Sequence, residues 1–215
     1  SEETAIDTQS LAAEPSSHLA SSSKRVSQLI DGLKQGESSA RWKAAKALSG
    51  IGSDAESAIP VLVDALRDRT IIVRVGAAEA IGRLGDKATP AVPELIECLR
   101  DKYATVRETA AAALGAIGPG ACTAIEVLWP LLIDENKYVR AEAERALVQV
   151  CSDRSSESLN LLHFQLNHSD GRVRAAVARV LGAIGAADPK IVAGLEGLLG
   201  DADSQVRVSA ADPAN

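Results

Sequence analysis

The segment PELIECLRDKYATVRETAAAALGAIG, residues 93–118, decides how this chain folds. Leu95, Cys98 and Leu99 fall at i, i+3 and i+4, the spacing of one helical face. Pro93 opens the run, where its missing N–H would have no intrahelical partner anyway. Asp101-Lys102-Tyr103 breaks the pattern, and a second stripe then runs through Val106, Ala110, Ala111, Leu114 and Ile117 to Gly118. Glycine suits the left-handed position just past a helix end. The segment is therefore read as two helices joined by a short turn.

Outward from this segment the pair Val-Arg recurs at Val73-Arg74, Val106-Arg107, Val139-Arg140, Val173-Arg174 and Val206-Arg207. With Arg41 as the first member, successive arginines stand 33, 33, 33, 34 and 33 residues apart. The preceding copy repeats the hairpin as Pro60, Leu62, Ala65 and Leu66, then Val73, Ala77, Ala78, Ile81, Leu84 and Gly85. Two short helices bury too little apolar surface to stand alone, so each hairpin must lean on its neighbours. Ala47, Ala80, Ala113 and Ala146, with Val180 in the fifth copy, leave room for close helix approach. The expected fold is all-α: a right-handed α-solenoid of about five complete hairpins and a truncated sixth.

The order proline, leucine, leucine, aspartate, valine-arginine, alanine-alanine, leucine-glycine, isoleucine-glycine resembles the HEAT repeat, and more narrowly the short HEAT-like repeat named after phycobilisome lyases. The resemblance covers about residues 25–211. Ankyrin units, also about 33 residues, carry a Thr-Pro-Leu-His turn, and tetratricopeptide units need bulky aromatics at fixed places. Neither pattern occurs here, where two Trp, two Tyr and one Phe are the only such rings.

Four of the five Val-Arg arginines have an aspartate six residues before them: Asp68 and Arg74, Asp101 and Arg107, Asp134 and Arg140, Asp201 and Arg207. The resemblance implies that such acids and arginines bond across neighbouring repeats as a structural ladder. Gln35 and His168 replace the acid before Arg41 and Arg174, so these two arginines are expected to be the freer ones.

The formal charge of -6, from 29 acidic and 23 basic residues, argues against a general nucleic-acid coat. No run approaches 18 consecutive apolar residues, so no membrane span is expected. Cys98, Cys122 and Cys151 form no close motif, and Cys98 shares the buried stripe of Ala65. A sparse, odd cysteine count fits a reducing, cytoplasmic setting. Residues 1–22, with serine clusters, Pro15 and no Lys or Arg, read as a flexible arm or linker before a repeat domain at 23–215. Residues 5–13 could instead form a helix over the first repeat. Asp212-Pro213 is expected to stop the last helix early, which leaves Leu181 and Ile184 partly uncovered and open to a further repeat or a chain-chain contact.

No catalytic or metal-binding constellation emerges, and no cofactor is expected. His163 and His168 are five apart, on different helix faces, with no acid motif to complete a ligand set. Gly182-Ala183-Ile184-Gly185 follows a helix rather than preceding one, as a phosphate cradle would not. Pro130 should bend or delay the first helix of the fourth unit, leaving Trp129 partly buried.

Function is then expected on the exposed positions of the second helices, which line the concave side in HEAT-like stacks. Offsets one, two, five and nine from each arginine select Trp42, Lys43, Lys46, Val75, Glu79, Arg83, Glu108, Thr109, Glu142, Arg145, Gln149 and Arg179. Trp and Arg concentrate binding energy, so Trp42 with Lys43 and Lys46 is the preferred contact patch, extended by Arg83, Arg145 and Arg179. Trp42 packed against the N-terminal arm is the competing reading. The leading functional expectation is a non-enzymatic scaffold or adaptor for another protein or peptide. The repeat signature alone implies a second, a phycobilin lyase or isomerase-like subunit, and nucleic-acid binding is the least favoured third.

Overall fold

The computed structural model describes residues 15–185 and 188–211. Within them the chain forms α1 (Pro15–Gln35), α2 (Ser38–Ile51), α3 (Ile59–Ala65), α4 (Ile71–Leu84), α5 (Val92–Cys98), α6 (Ala104–Ile117), α7 (Ile125–Leu128), α8 (Lys137–Val150), α9 (Ser156–Phe164), α10 (Gly171–Ile184), α11 (Pro189–Leu198) and α12 (Ser204–Ala211). Consecutive helices pair as hairpins, no strand occurs among the described residues, and the architecture is an all-α solenoid. Helix α1 begins at Pro15, inside the segment read from sequence as a flexible arm, while residues 5–13 lie outside the described residues.

Helix α6 ends where Gly118 takes φ 72° and ψ -141°, a conformation that strains any residue with a Cβ. Gly52 and Gly85 repeat it, so the expected positive φ is present, but only Gly185 has a left-handed helical ψ. From the first three of these glycines a 3-10 segment leads into the next hairpin. This break settles the membrane question for residues 104–133. An 18-residue window within them has a mean hydropathy of 1.5, which would suit a spanning helix, but the chain turns at Gly118. Helix α6, at 14 residues, is about 21 Å long, short of a hydrocarbon core of about 30 Å.

The core is one continuous layer between the helices of each hairpin and its neighbours. Leu62, Leu95, Leu114, Leu147 and Leu162 are fully buried along it. The second helices stack directly, α2 on α4, α4 on α6, α6 on α8, and α10 on α12. Small residues make this possible, as expected: Ala80, Ala113 and Ala146 are buried at those contacts. The approach is closest at Gly115, where a Cβ would lie 3.0 Å from the Ala146 Cα and 2.5 Å from Gln149 Oε1.

The stack changes between the fourth and fifth hairpins, where the arginine interval is 34 residues. Pro130 stops α7 after Leu128, and a 3-10 segment, Trp129–Ile133, takes over. Trp129 is half-buried, as expected, with its ring edge-on to His168 at 5.5 Å. In place of a glycine-initiated 3-10 connector, α8 ends at Cys151 and the chain turns through Arg154 at φ 52°. Helix α10 packs on the 3-10 segment as much as on α8, so these two second helices pack less closely than the other pairs.

Candidate functional site

A ladder of ion pairs runs along the edge of the stack. Arg41 grips Asp68, with Nε to Oδ2 at 2.6 Å and Nη2 to Oδ1 at 3.0 Å. Arg107 grips Asp134 at 2.9 and 2.8 Å, and Arg174 grips Asp201 at 2.8 Å on both oxygens. Arg74 Nε lies 2.9 Å from Asp101 Oδ2 as an ion pair, although its N–H is not aimed well enough for a hydrogen bond. In every rung the acid is 27 residues after the arginine, in the next hairpin.

From the second hairpin on, the residue six before each arginine supplies a carbonyl instead. Nη1 of Arg74, Arg107, Arg140, Arg174 and Arg207 donates to the main-chain oxygen of Asp68, Asp101, Asp134, His168 and Asp201 at 2.7–2.8 Å. This corrects the sequence expectation about which arginines are free. Arg41 and Arg174 are paired, and the acid missing at His168 costs Arg140 its rung. Arg140 and Arg207 have no carboxylate partner among the described residues.

The aspartates do a second job. Asp68, Asp101, Asp134 and Asp201 each accept a hydrogen bond on Oδ1 from the backbone N–H two residues on, at 2.8–2.9 Å, which fixes the turn before the second helix. Burial pushes the Asp68 and Asp134 carboxyls up, but the hydrogen bonds from arginine and backbone outweigh it and hold both below the usual range. The Arg174 hydrogen bond is the main cause of the same depression at Asp201.

On the exposed face of the second helices, the positions five and nine after the arginine in the second to fourth hairpins shape a groove. The second hairpin places Glu79 and Arg83 there, and the fourth places Arg145 and Gln149. The third has only Ala112 and Ala116, so a trough of about 460 Å3 opens between the flanking side chains. Ala112, Ala113, Ala116 and Gly82 form its floor, and Lys46, Glu79, Arg83, Thr109 and Arg145 its walls. Lys46 Nζ donates to Glu79 Oε2 at 2.7 Å, and Arg145 is tied to Glu142 of its own helix. Arg83 has no ion-pair partner among the described residues and is exposed.

The structure thus brings Lys46, Glu79, Arg83 and Arg145 together, with Glu142 behind Arg145. Trp42 does not line the trough. It is 38% exposed and lies over α4, where a Cβ on Gly76 would meet its Cδ1 at 3.5 Å. Lys43 is exposed and Glu108 half-buried, neither on the trough. Arg179 is bound across α8 and α10 by Glu144, at 2.9 and 3.1 Å, and bonds Ser209 at 3.3 Å. Sequence reasoning missed the trough because it collected long side chains, whereas the signal is the run of alanines between them. It also missed Phe164, 76% exposed beside Trp129 and Leu161 in a recess.

Among the described residues no three His, Cys, Asp or Glu side chains gather as a metal site. Cys98 is buried as expected, its thiol pushed up to about 11 by desolvation, and it faces the Leu66 carbonyl oxygen at 3.7 Å.

The HEAT-repeat family signature matches residues 59–148 and 125–212. The PBS lyase HEAT-like repeat signature matches residues 40–68. No curated protein matches the chain. Among solved structures, importin beta superposes with a TM-score of 0.69 at 15% identity, covering 92% of this chain and 31% of that one. A designed armadillo repeat protein in complex with the peptide (KR)4 gives 0.62 at 20% identity, over 86% and 96%. The complex of CpcE and CpcF of phycocyanin lyase from Nostoc sp. PCC7120 gives 0.50 at 23% identity, over 99% and 98%. These likenesses bear on the fold.

Proposed function

The chain belongs to the HEAT-repeat family, and on that premise we propose that it is a protein-interaction scaffold whose inner trough receives an acidic segment of a partner protein. The trough carries this reading. Its alanine floor admits a peptide backbone, and its walls hold Lys46, Arg83 and Arg145, of which Lys46 is paired with Glu79 and Arg145 with Glu142. Lys46 already neutralises Glu79, so Arg83 is the charge with most to gain from an incoming carboxylate. The (KR)4 peptide of the designed armadillo relative is basic. The charge on this trough is of the same sign as that peptide, so the occupant expected here is of opposite sign.

Exposed arginines on such a wall contribute modestly one by one, and the shape of the floor contributes excluded water and register. The test is selection of a random phage-displayed peptide library on the intact protein, with hits measured against Arg83→Glu and Ala112→Arg. Acidic hits that lose about tenfold or more in affinity with either variant support the reading. A selection without acidic enrichment, or hits indifferent to both variants, overturns it.

A second reading, a subunit acting on bilin-carrying proteins, draws on the match at residues 40–68 and the likeness to CpcE and CpcF. Mixing with free bilin checks it: an unchanged chromophore absorbance sinks it.

A further inference from the structure

We propose that Arg140 is a preformed receptor for one carboxylate, filled by an aspartate or glutamate side chain of the bound partner. The argument comes from the four rungs elsewhere in the same chain. Arg174 is held by Nη1 donating to the main-chain oxygens of His168 and Ser169 at 2.7 and 3.1 Å, which aims its Nε and Nη2 at Asp201. Arg140 is held in the same way, by Asp134 and Glu135 oxygens at 2.8 and 3.2 Å. Its Nε and Nη2 meet no acceptor among the described residues.

The reason is chemical. At the place where the other repeats carry aspartate, His168 copies only half of the function. Its Nδ1 accepts from the Asp170 N–H at 3.0 Å, as each aspartate Oδ1 does from its own turn. A neutral imidazole that accepts on Nδ1 carries its proton on Nε2, so its other nitrogen is a donor and offers nothing to a guanidinium. The fork of Arg140 is therefore held in direction by Nη1, with no carboxylate of the described residues on it.

There is room for an occupant. Where α8 and α10 pack less closely, a cleft of about 710 Å3 opens whose lining includes Arg140, Arg172, Arg179 and Gln205. The cleft's two acids do not fill the fork: Asp134 is engaged by Arg107, and Glu135 is 87% exposed and lies 3.7 Å from the same arginine. A bidentate carboxylate on a guanidinium already held in place loses little further freedom on binding. The inference rests on the partner-binding reading for the source of the carboxylate. Its test uses free peptides, so the two stand or fall separately.

The full chain is titrated at constant ionic strength with acetyl-Gly-Glu-Gly-amide and with the glutamine peptide acetyl-Gly-Gln-Gly-amide, while arginine Nε–H signals are followed by NMR. The expected result is a saturable shift of the Arg140 signal with the glutamate peptide alone. His168→Asp should supply the missing acid from within and weaken that response by about tenfold. Arg140→Gln, which needs no new contact to fold, should remove the response, and Arg83→Glu should leave it intact. A free C-terminal carboxylate, tested as acetyl-Gly-Gly-Gly, should shift Arg140 less than the side-chain acid. No Arg140 shift, an equal shift with the glutamine or free-carboxylate peptide, or a shift undiminished by His168→Asp overturns the proposal.

Discussion

Arg107 holds two hairpins at once: its Nη1 donates to the Asp101 carbonyl oxygen at 2.8 Å within its own turn, and its Nε and Nη2 clasp Asp134 of the next hairpin at 2.9 and 2.8 Å. Among the described residues it is the one buried arginine, 8% exposed. Removing one partner of such a pair leaves the other charge desolvated and unmatched. Arg107→Ala should cost about 3 kcal/mol by urea denaturation. A loss below about 1 kcal/mol would show that the rung guides stacking without adding stability.

The same rungs make the fold acid-sensitive. Asp68, Asp134 and Asp201 ionise below the usual carboxylate range when folded, so in mildly acid solution the unfolded chain binds more protons than the folded one. Their stabilisation is complete above the unfolded value of about 4 and is lost as pH falls through the lower folded values. Urea midpoints should be flat from about pH 7 to 5 and fall below about pH 4, less steeply in Arg107→Ala. A profile identical in the variant would contradict this assignment.

Two glycines in the last turns of second helices should respond oppositely to alanine. Gly115→Ala drives a Cβ into the Ala146 backbone and Gln149, and should cost about 1–3 kcal/mol despite better helix propensity. Gly50 faces open space, so Gly50→Ala should stabilise by about 0.5–1 kcal/mol. Thermal melts of the pair decide it, and equal shifts would mean that the α6 and α8 contact gives way freely.

The thiols should divide by burial. Cys122 is exposed, whereas burial pushes Cys98 up to about 11 and Cys151 up to about 12. At pH 8 an aromatic disulfide reagent should label Cys122 rapidly and the other two only on unfolding. Fast labelling of all three in native protein would argue against the packing around α5 and α8.

Much of the fold was legible before any coordinates. The hairpins of residues 59–84 and 92–117 fall where the spacing of Leu62, Leu66, Val73 and Ile81, and of their counterparts, placed them. The site was less legible. Lys46, Arg83 and Arg145 were selected as exposed, but the trough they share depends on Ala112 and Ala116, which carry no chemistry to notice. Trp42, read as an anchor, stays exposed beside Gly76 of the neighbouring helix and off the trough, a placement that depends on the stacking.

By itself the amino-acid order determined the units: where helices start and stop, which face of each is apolar, and that about five complete look-alike hairpins and a shortened sixth follow one another. Those are local properties, set by a 3.6-residue period and by proline and glycine at the breaks. Only the stacked structure decided which aspartate serves which arginine. Arg107 is nearer to Asp134, 27 positions on, than to the carboxylate of Asp101, six positions back, because hairpins pack side by side and turn the earlier acid toward the previous repeat. The consequence at Arg140 follows from the same packing, since it lacks an acid by virtue of a histidine that lies in the next hairpin.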